Sequence, residues 1–120
     1  MATVLALGLD PTFADFTSMP GLTPELVQAF IDSQLERIRA LGYEVESCLV
    51  DSGNTAESVL KQSLEKRQYD CVMIGAGLRA PAHLLLFEKL LNMVHIHAPS
   101  AMICFNTTPA DSAEAVQRWV

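Results

Sequence analysis

Short apolar runs recur four times along the chain, each followed by a longer segment in which apolar residues return every three or four positions. Val4-Leu5-Ala6-Leu7-Gly8-Leu9, Cys71-Val72-Met73-Ile74 and Ala101-Met102-Ile103-Cys104-Phe105 contain no charged residue, the mark of strands covered on both faces. Tyr43 to Val50 alternates instead, with Glu44 and Glu46 on one face, which suits an edge strand. The intervening segments carry helix-start signals. Thr23 precedes Pro24, and an apolar face at Leu26, Phe30, Leu35, Ile38 and Leu41 runs to Gly42, a cap at one end and a terminator at the other. Asn54 with Glu57 has capping-box spacing ahead of Val59, Leu60 and Leu64. Pro81 opens a third helix that Pro99 bounds, and Thr108-Pro109 with Asp111 starts a last one with Ala113, Val116 and Val120 inward.

Strands alternating with helices imply βαβ units and a parallel sheet, and right-handed crossovers leave few ways to arrange it. The prediction is an α/β three-layer sandwich with a four-stranded parallel sheet in the order 2-1-3-4, flavodoxin-like or Rossmann-like. The first and last helices fall on one face and the middle two on the other. With no repeat, linker or low-complexity stretch, residues 1–120 read as a single α/β domain.

Composition narrows the partners. Half of the residues are hydrophobic and 18% charged, which excludes a disordered chain. The net charge of −6 and the scattering of only eight Lys and Arg argue against nucleic acid, whose phosphates require clustered cations. Cys48, Cys71 and Cys104 each lie alone in an apolar run; they read as buried thiols in a reducing compartment, and a cytoplasmic location is expected. Met1-Ala2-Thr3 leads straight into the first strand and every apolar stretch is interrupted by polar residues, so neither a signal peptide nor a membrane span is expected.

In open α/β sheets a ligand lies beyond the carboxyl ends of the strands, where the strand order reverses. Here that point falls between the first and third strands. The residues delivered there are Asp10 and Thr12, Asp51, Gly75 and Gly77 with Arg79, and Asn106 with Thr107. Two glycines permit close backbone approach and positive φ, freeing N–H groups for an anion, and Arg79 adds a bidentate donor. The expected ligand-binding set is therefore Asp10, Thr12, Gly75, Gly77, Arg79, Asn106 and Thr107, facing a small anionic molecule, a phosphorylated one included. The connection Pro11–Leu22, with Phe13, Phe16 and Met19, is long enough to act as a binding loop or to plug the top of the core.

Two other readings stand beside the binding module. A small enzyme would use Asp10, Arg79 and His83, although Ser52-Gly53 and Ser100 lack a nucleophile-elbow pattern, and no catalytic set or cofactor is named by the sequence. A regulatory homo-oligomer would need no ligand. His95 and His97, two positions apart, diverge around a helix and predict no metal site. The third helix is apolar over more than one stripe: Leu84, Phe87, Leu91 and Val94 on the core face, Leu86, Leu90 and Met93 on a flank. That excess predicts a homodimer through Leu84–Ile96.

From Glu44 to Phe105 the chain resembles the universal stress proteins. A strand is followed by Asn54-Thr55-Ala56-Glu57-Ser58-Val59-Leu60 opening a helix, then by Tyr69-Asp70-Cys71-Val72-Met73-Ile74-Gly75, and His97-Ala98-Pro99-Ser100 precedes the last strand. The resemblance implies the fold. ATP-binding members of that family carry Gly-x-x-Gly, a nine-residue spacer and Gly-Ser or Gly-Thr. Here Leu78 stands at the second glycine and Leu84–Met93 holds none, so ATP binding is not implied.

Overall fold

A computed structural model describes all 120 residues. Four parallel strands, β1 (Thr3–Leu9), β2 (Glu44–Val50), β3 (Cys71–Ile74) and β4 (Met102–Phe105), form one sheet in the order β2-β1-β3-β4. Helices α1 (Pro24–Ala40) and α4 (Ser112–Gln117) cover one face, while α2 (Ala56–Lys66) and α3 (Leu84–His97) cover the other. The three-layer α/β/α arrangement and strand order are those the sequence predicts. No helix is long and apolar enough to cross a membrane.

Period-two alternation assigns the side chains. Leu5, Leu7, Val72 and Ile74 point into the core beneath α2 and α3, while Val4, Ala6, Val45, Cys71 and Cys104 point beneath α1 and α4. The central strands β1 and β3 are buried from end to end except at Gly8, which is why they read as unbroken apolar runs. Asp70 locks the lower end of the sheet: its carboxylate accepts from Thr3 N, its own N–H donates to Thr3 O, and its carbonyl accepts from Met102 N.

Helix capping follows the sequence in part. Thr23 Oγ1 accepts from Leu26 N at 3.2 Å with Pro24 at the first helical position, and Gly42 lies at φ +100° after the helix. At α2 the expected Asn54 cap is replaced. The preceding Asp51 turns its carboxylate back to Gly53 N, Thr55 N and Thr55 Oγ1, so it closes the loop and faces no ligand. Arg37 pairs with Glu114 across α1 and α4, and Lys89 with Glu57 across α2 and α3.

Three core assignments need correction. Leu26 and Phe30 of α1 and Leu41 just after it are exposed, and only Leu35 and Ile38 of the helix are buried, because only its second half meets the packed part of the sheet. Val120, expected inside α4, is exposed because that helix ends at Gln117; Ala113, Ala115 and Val116 carry the contact. On α3 Val94, Phe87 and Leu91 meet the core as expected, but Leu90, placed on the flank, is fully buried, whereas Leu84, placed on the core face, is 57% exposed. Leu86 and Met93 pack against the same core as Phe87 and Leu91. Of the flank that predicted a dimer, Leu90 is core and Leu86 and Met93 are half-buried against it, while the exposed apolar residues Leu84, Leu85 and Ile96 are interspersed with Glu88, Lys89 and Asn92.

Leu90→Ala is therefore expected to cost about 2–5 kcal/mol, the range for emptying a buried leucine site, and Leu85→Ala less than about 0.5 kcal/mol. Urea denaturation of both variants checks the helix face; equal effects would contradict it.

A second expectation concerns acid. Tyr69 Oη donates to Glu46 Oε2 at 2.5 Å, and Arg67 pairs with Glu44 and Glu46. The Tyr69 hydrogen bond, opposed by burial and helped by the Arg67 charge, holds the Glu46 carboxyl below the usual carboxylate range. A carboxyl depressed on folding stabilises the protein above its unfolded pKa, and that contribution is lost as pH falls through the folded value. In Tyr69→Phe the fall in stability below the ordinary glutamate pKa should be shallower than in the wild type, as read by denaturation midpoints across acid pH. An unchanged slope would show that the hydrogen bond does not carry the effect.

Candidate functional site

The principal cavity of the molecule, about 590 Å³, opens at the carboxyl end of the sheet on the α1 face. Its origin is a run of small side chains. In the lower half of this face Val4, Val45 and Cys71 meet Leu35, Ile38 and Val116 and fill the layer. In the upper half Ala6 and Gly8 on β1, Ser47 on β2 and Gly75 after β3 are small, with Leu49 on β2 and Met73 on β3 the large side chains among them. The N-terminal half of α1 then stands away from the sheet, presenting Leu26, Val27, Phe30 and Ile31 to the space between. Hydrophobic residues make up 17 of the 28 that line it, so the cavity favours an apolar occupant.

The loop Pro11–Leu22 supplies the outer wall. Pro11–Phe13 forms a single 3-10 turn that Asp10 caps, and Pro11 is buried. Two further turns follow, closed by Met19 N to Phe16 O and Leu22 N to Met19 O, with Gly21 at φ +91°. Phe16, Met19 and Leu22 line the cavity and Phe13 does not. Phe16 is half-buried there, while Met19 and Leu22 remain exposed at the rim.

The expected anion-binding residues do not form one site. Gly75, Gly77 and Asn106 line the cavity, while Asp10 and Thr12 line a separate, smaller recess with Glu25 and Asp32. Asp10 Oδ1 accepts from Thr12 N and Thr12 Oγ1. Neither Gly75 nor Gly77 has positive φ; a Cβ on Gly75 would lie 3.5 Å from Leu7 O and one on Gly77 3.4 Å from Leu9 Cβ. Both are ordinary van der Waals contacts, so neither position requires glycine for a turn or a close approach. The Gly75 N–H bonds Leu7 O, and the Ala76 N–H is taken by Asn106 Oδ1, so the loop offers no open nest of amides.

Arg79 turns inward. Its guanidinium donates to Ile74 O at 3.1 Å and to Asn106 O, and lies 4.9 Å from the centre of the Phe105 ring. Burial pulls its pKa down, with Asp111 acting against that. It joins the ends of β3 and β4. Asn106, itself buried, completes the strut: Nδ2 donates to Ser112 Oγ, which donates to Pro109 O. Thr107 is spent on Asp111, whose carboxylate accepts from Thr107 N and Oγ1 and joins a capping box with Thr108; these bonds, led by the Thr107 hydroxyl, hold the Asp111 carboxyl below the usual range. Of the proposed acid–base set, His83 lines the cavity, Asp10 lines the other recess, and Arg79 belongs to the backbone strut.

A residue that sequence reading passed over is Gln34. It lines the cavity from α1, and its Oε1 is the one buried side-chain nitrogen or oxygen without a hydrogen-bond partner. A polar residue in an apolar helix face, between Ile31 and Ile38, is the signal that marks it.

If Arg79 is a strut, Arg79→Met should cost about 1.5–3 kcal/mol, the scale for losing hydrogen bonds from a charged donor, with two carbonyls left unpaired. Chemical denaturation measures this; full stability in the variant would return Arg79 to the list of free cations.

Comparison with known protein families, curated proteins and solved structures finds no match, and the reading of the site rests on its own geometry.

Proposed function

We propose that this chain is a small-molecule binding module, sensory or regulatory, that takes a predominantly apolar ligand under the Pro11–Leu22 loop. The observation that carries this reading is the cavity of about 590 Å³ at the point where the strand order reverses. Its volume is in the range of small-molecule sites and its position is the one open α/β sheets use. The inward turn of Arg79 supports an apolar ligand over an anionic one. The three cysteines are buried free thiols, Cys71 Sγ and Cys104 Sγ lying 3.4 Å apart, and a reducing, cytoplasmic setting is part of this reading.

The test is titration with N-phenyl-1-naphthylamine, a neutral dye that fluoresces in apolar surroundings, on the wild type and on Ala6→Leu/Ser47→Phe. Ser47 is exposed on an edge strand, so an aromatic side chain there fills space without displacing core. Saturable one-to-one binding by the wild type, with a raised unfolding temperature at high dye, and its loss in the folded double variant are expected. Non-saturable binding, or binding indifferent to the double variant, overturns the reading. Inorganic phosphate serves as a parallel arm: saturable phosphate binding that Arg79→Met abolishes would establish the anionic ligand instead.

A further inference from the structure

The outer wall of the cavity is tied to the body of the protein at its two ends and by no hydrogen bond between them. At its start Asp10 N donates to Val50 O, Pro11 is buried, and Ala14 packs against the α2/α3 core. At its finish Thr23 caps α1. From Asp15 to Leu22 every hydrogen bond is internal: Thr17 N to Asp15 Oδ1, Met19 N to Phe16 O and Leu22 N to Met19 O. Pro20 and Gly21 hold the central positions of the last turn, with Gly21 at φ +91° as that turn requires. Overlapping turns make the segment one stiff unit. The residues on either side of it, Ala14 at ψ 154° and Thr23 at ψ 158°, are single extended positions. The apolar side chains of the unit are only partly used. Phe16 is half-buried, while Met19 is 44% and Leu22 43% exposed, and Leu26 and Phe30 of α1 are exposed beside them. All of these line the cavity, and the protein itself supplies nothing beneath them to complete their packing.

We propose that Asp15–Leu22 is a lid, which turns about Ala14 and Thr23 and closes over an apolar ligand in the cavity, laying Met19 and Leu22 on the occupant. The proposal rests on the binding reading above and adds a gate to it. Hinges are a few residues at element ends that absorb the change in φ and ψ while the unit between them moves as one body. No hydrogen bond to the sheet or the helices has to break for this movement. The driving force is apolar surface that leaves water only when it has a surface to meet, so closure follows occupancy. A ligand under the closed lid leaves slowly, because the lid must open first.

Because Cys48, Cys71 and Cys104 are buried, the exposed thiol of Ser18→Cys takes a nitroxide spin label selectively, and Gln62→Cys on the exposed side of α2 gives a control site. Spectra of both labelled proteins are compared without and with saturating N-phenyl-1-naphthylamine. The label at position 18 should lose motion on saturation, and the label at position 62 should not. The variant Met19→Ser/Leu22→Ser, changed only at exposed positions, should release the dye roughly 10-fold faster than the wild type in stopped flow, about the effect of losing part of two apolar contacts. Saturable binding with no change at position 18, an equal change at both sites, or unaltered release from the double variant would each overturn the lid and leave the binding module standing. Should the label itself weaken dye binding, amide hydrogen exchange of Asp15–Leu22 in the wild type makes the same comparison. Slower exchange with dye supports the lid, and unchanged exchange overturns it. No saturable binding by the wild type would remove the binding reading and the lid together.

Discussion

The two faces of a parallel sheet must both be covered, and in this chain they are covered unequally. On the α2/α3 face, Leu5, Leu7, Val72 and Ile74 meet Leu60, Leu64, Leu90 and Val94 in a layer filled from one end of the strands to the other. On the opposite face α4 is only six residues long, and α1 meets large side chains only along its second half. Close packing is what makes a protein interior solid. Where Ala6, Gly8, Ser47 and Gly75 replace large residues, the layer cannot be closed by the helix alone. The long first connection, the exposure of Leu26 and Phe30 and the position of the cavity all descend from that one asymmetry.

Most of the architecture was legible in the sequence because parallel sheets write themselves as apolar runs. All four strands lie within a residue of where those runs place them, and the order β2-β1-β3-β4 follows from crossover handedness together with the polar face of β2. Glu44 and Glu46 do lie on an edge strand, held there by Arg67 and Tyr69. What failed was sidedness. In α3 apolar residues occupy more than one stripe, so periodicity cannot say which stripe faces the sheet, and Leu84 and Leu90 were exchanged. In α1 the apolar stripe was real, but its first half faces a cavity and not a core. A hydrophobic pattern records which residues avoid water, and a binding recess satisfies it as well as a packed layer does.

The expected rim residues lie where topology delivers them, at the carboxyl end of the sheet, with their polar groups bonded largely within the chain. Gly75, Gly77 and Asn106 were placed at the rim from strand order, and they do line the cavity. The role of Arg79 was not legible because a guanidinium beside two glycines looks the same in sequence whether it points to solvent or to backbone. Its partners, the carbonyls of Ile74 and Asn106, come from two strands that are distant in sequence. Buried carbonyls at strand ends need donors as much as ligands do, and here the structural demand took the arginine first. Gln34 escaped notice for the converse reason: on an amphipathic helix a glutamine one position before a core leucine reads as the border of the polar face.

The cavity and the unpaired Gln34 amide bear on each other. Each alone has a simple remedy within this fold, since a valine at Ala6 or a leucine at Gln34 keeps the local secondary structure and adds apolar contact. Both features lower stability in the same place, on the face that α4 leaves least covered. A ligand that fills the space would remove the packing deficit, and would do so only in the folded chain. By linkage such a ligand stabilises the native state in proportion to the logarithm of its concentration above Kd. The Pro11–Leu22 loop contributes Phe16, Met19 and Leu22 to that space but is held mainly by its own turns, so it is the element whose order the ligand would most directly change. The filled α2/α3 layer has no such gap and keeps the rest of the fold in place.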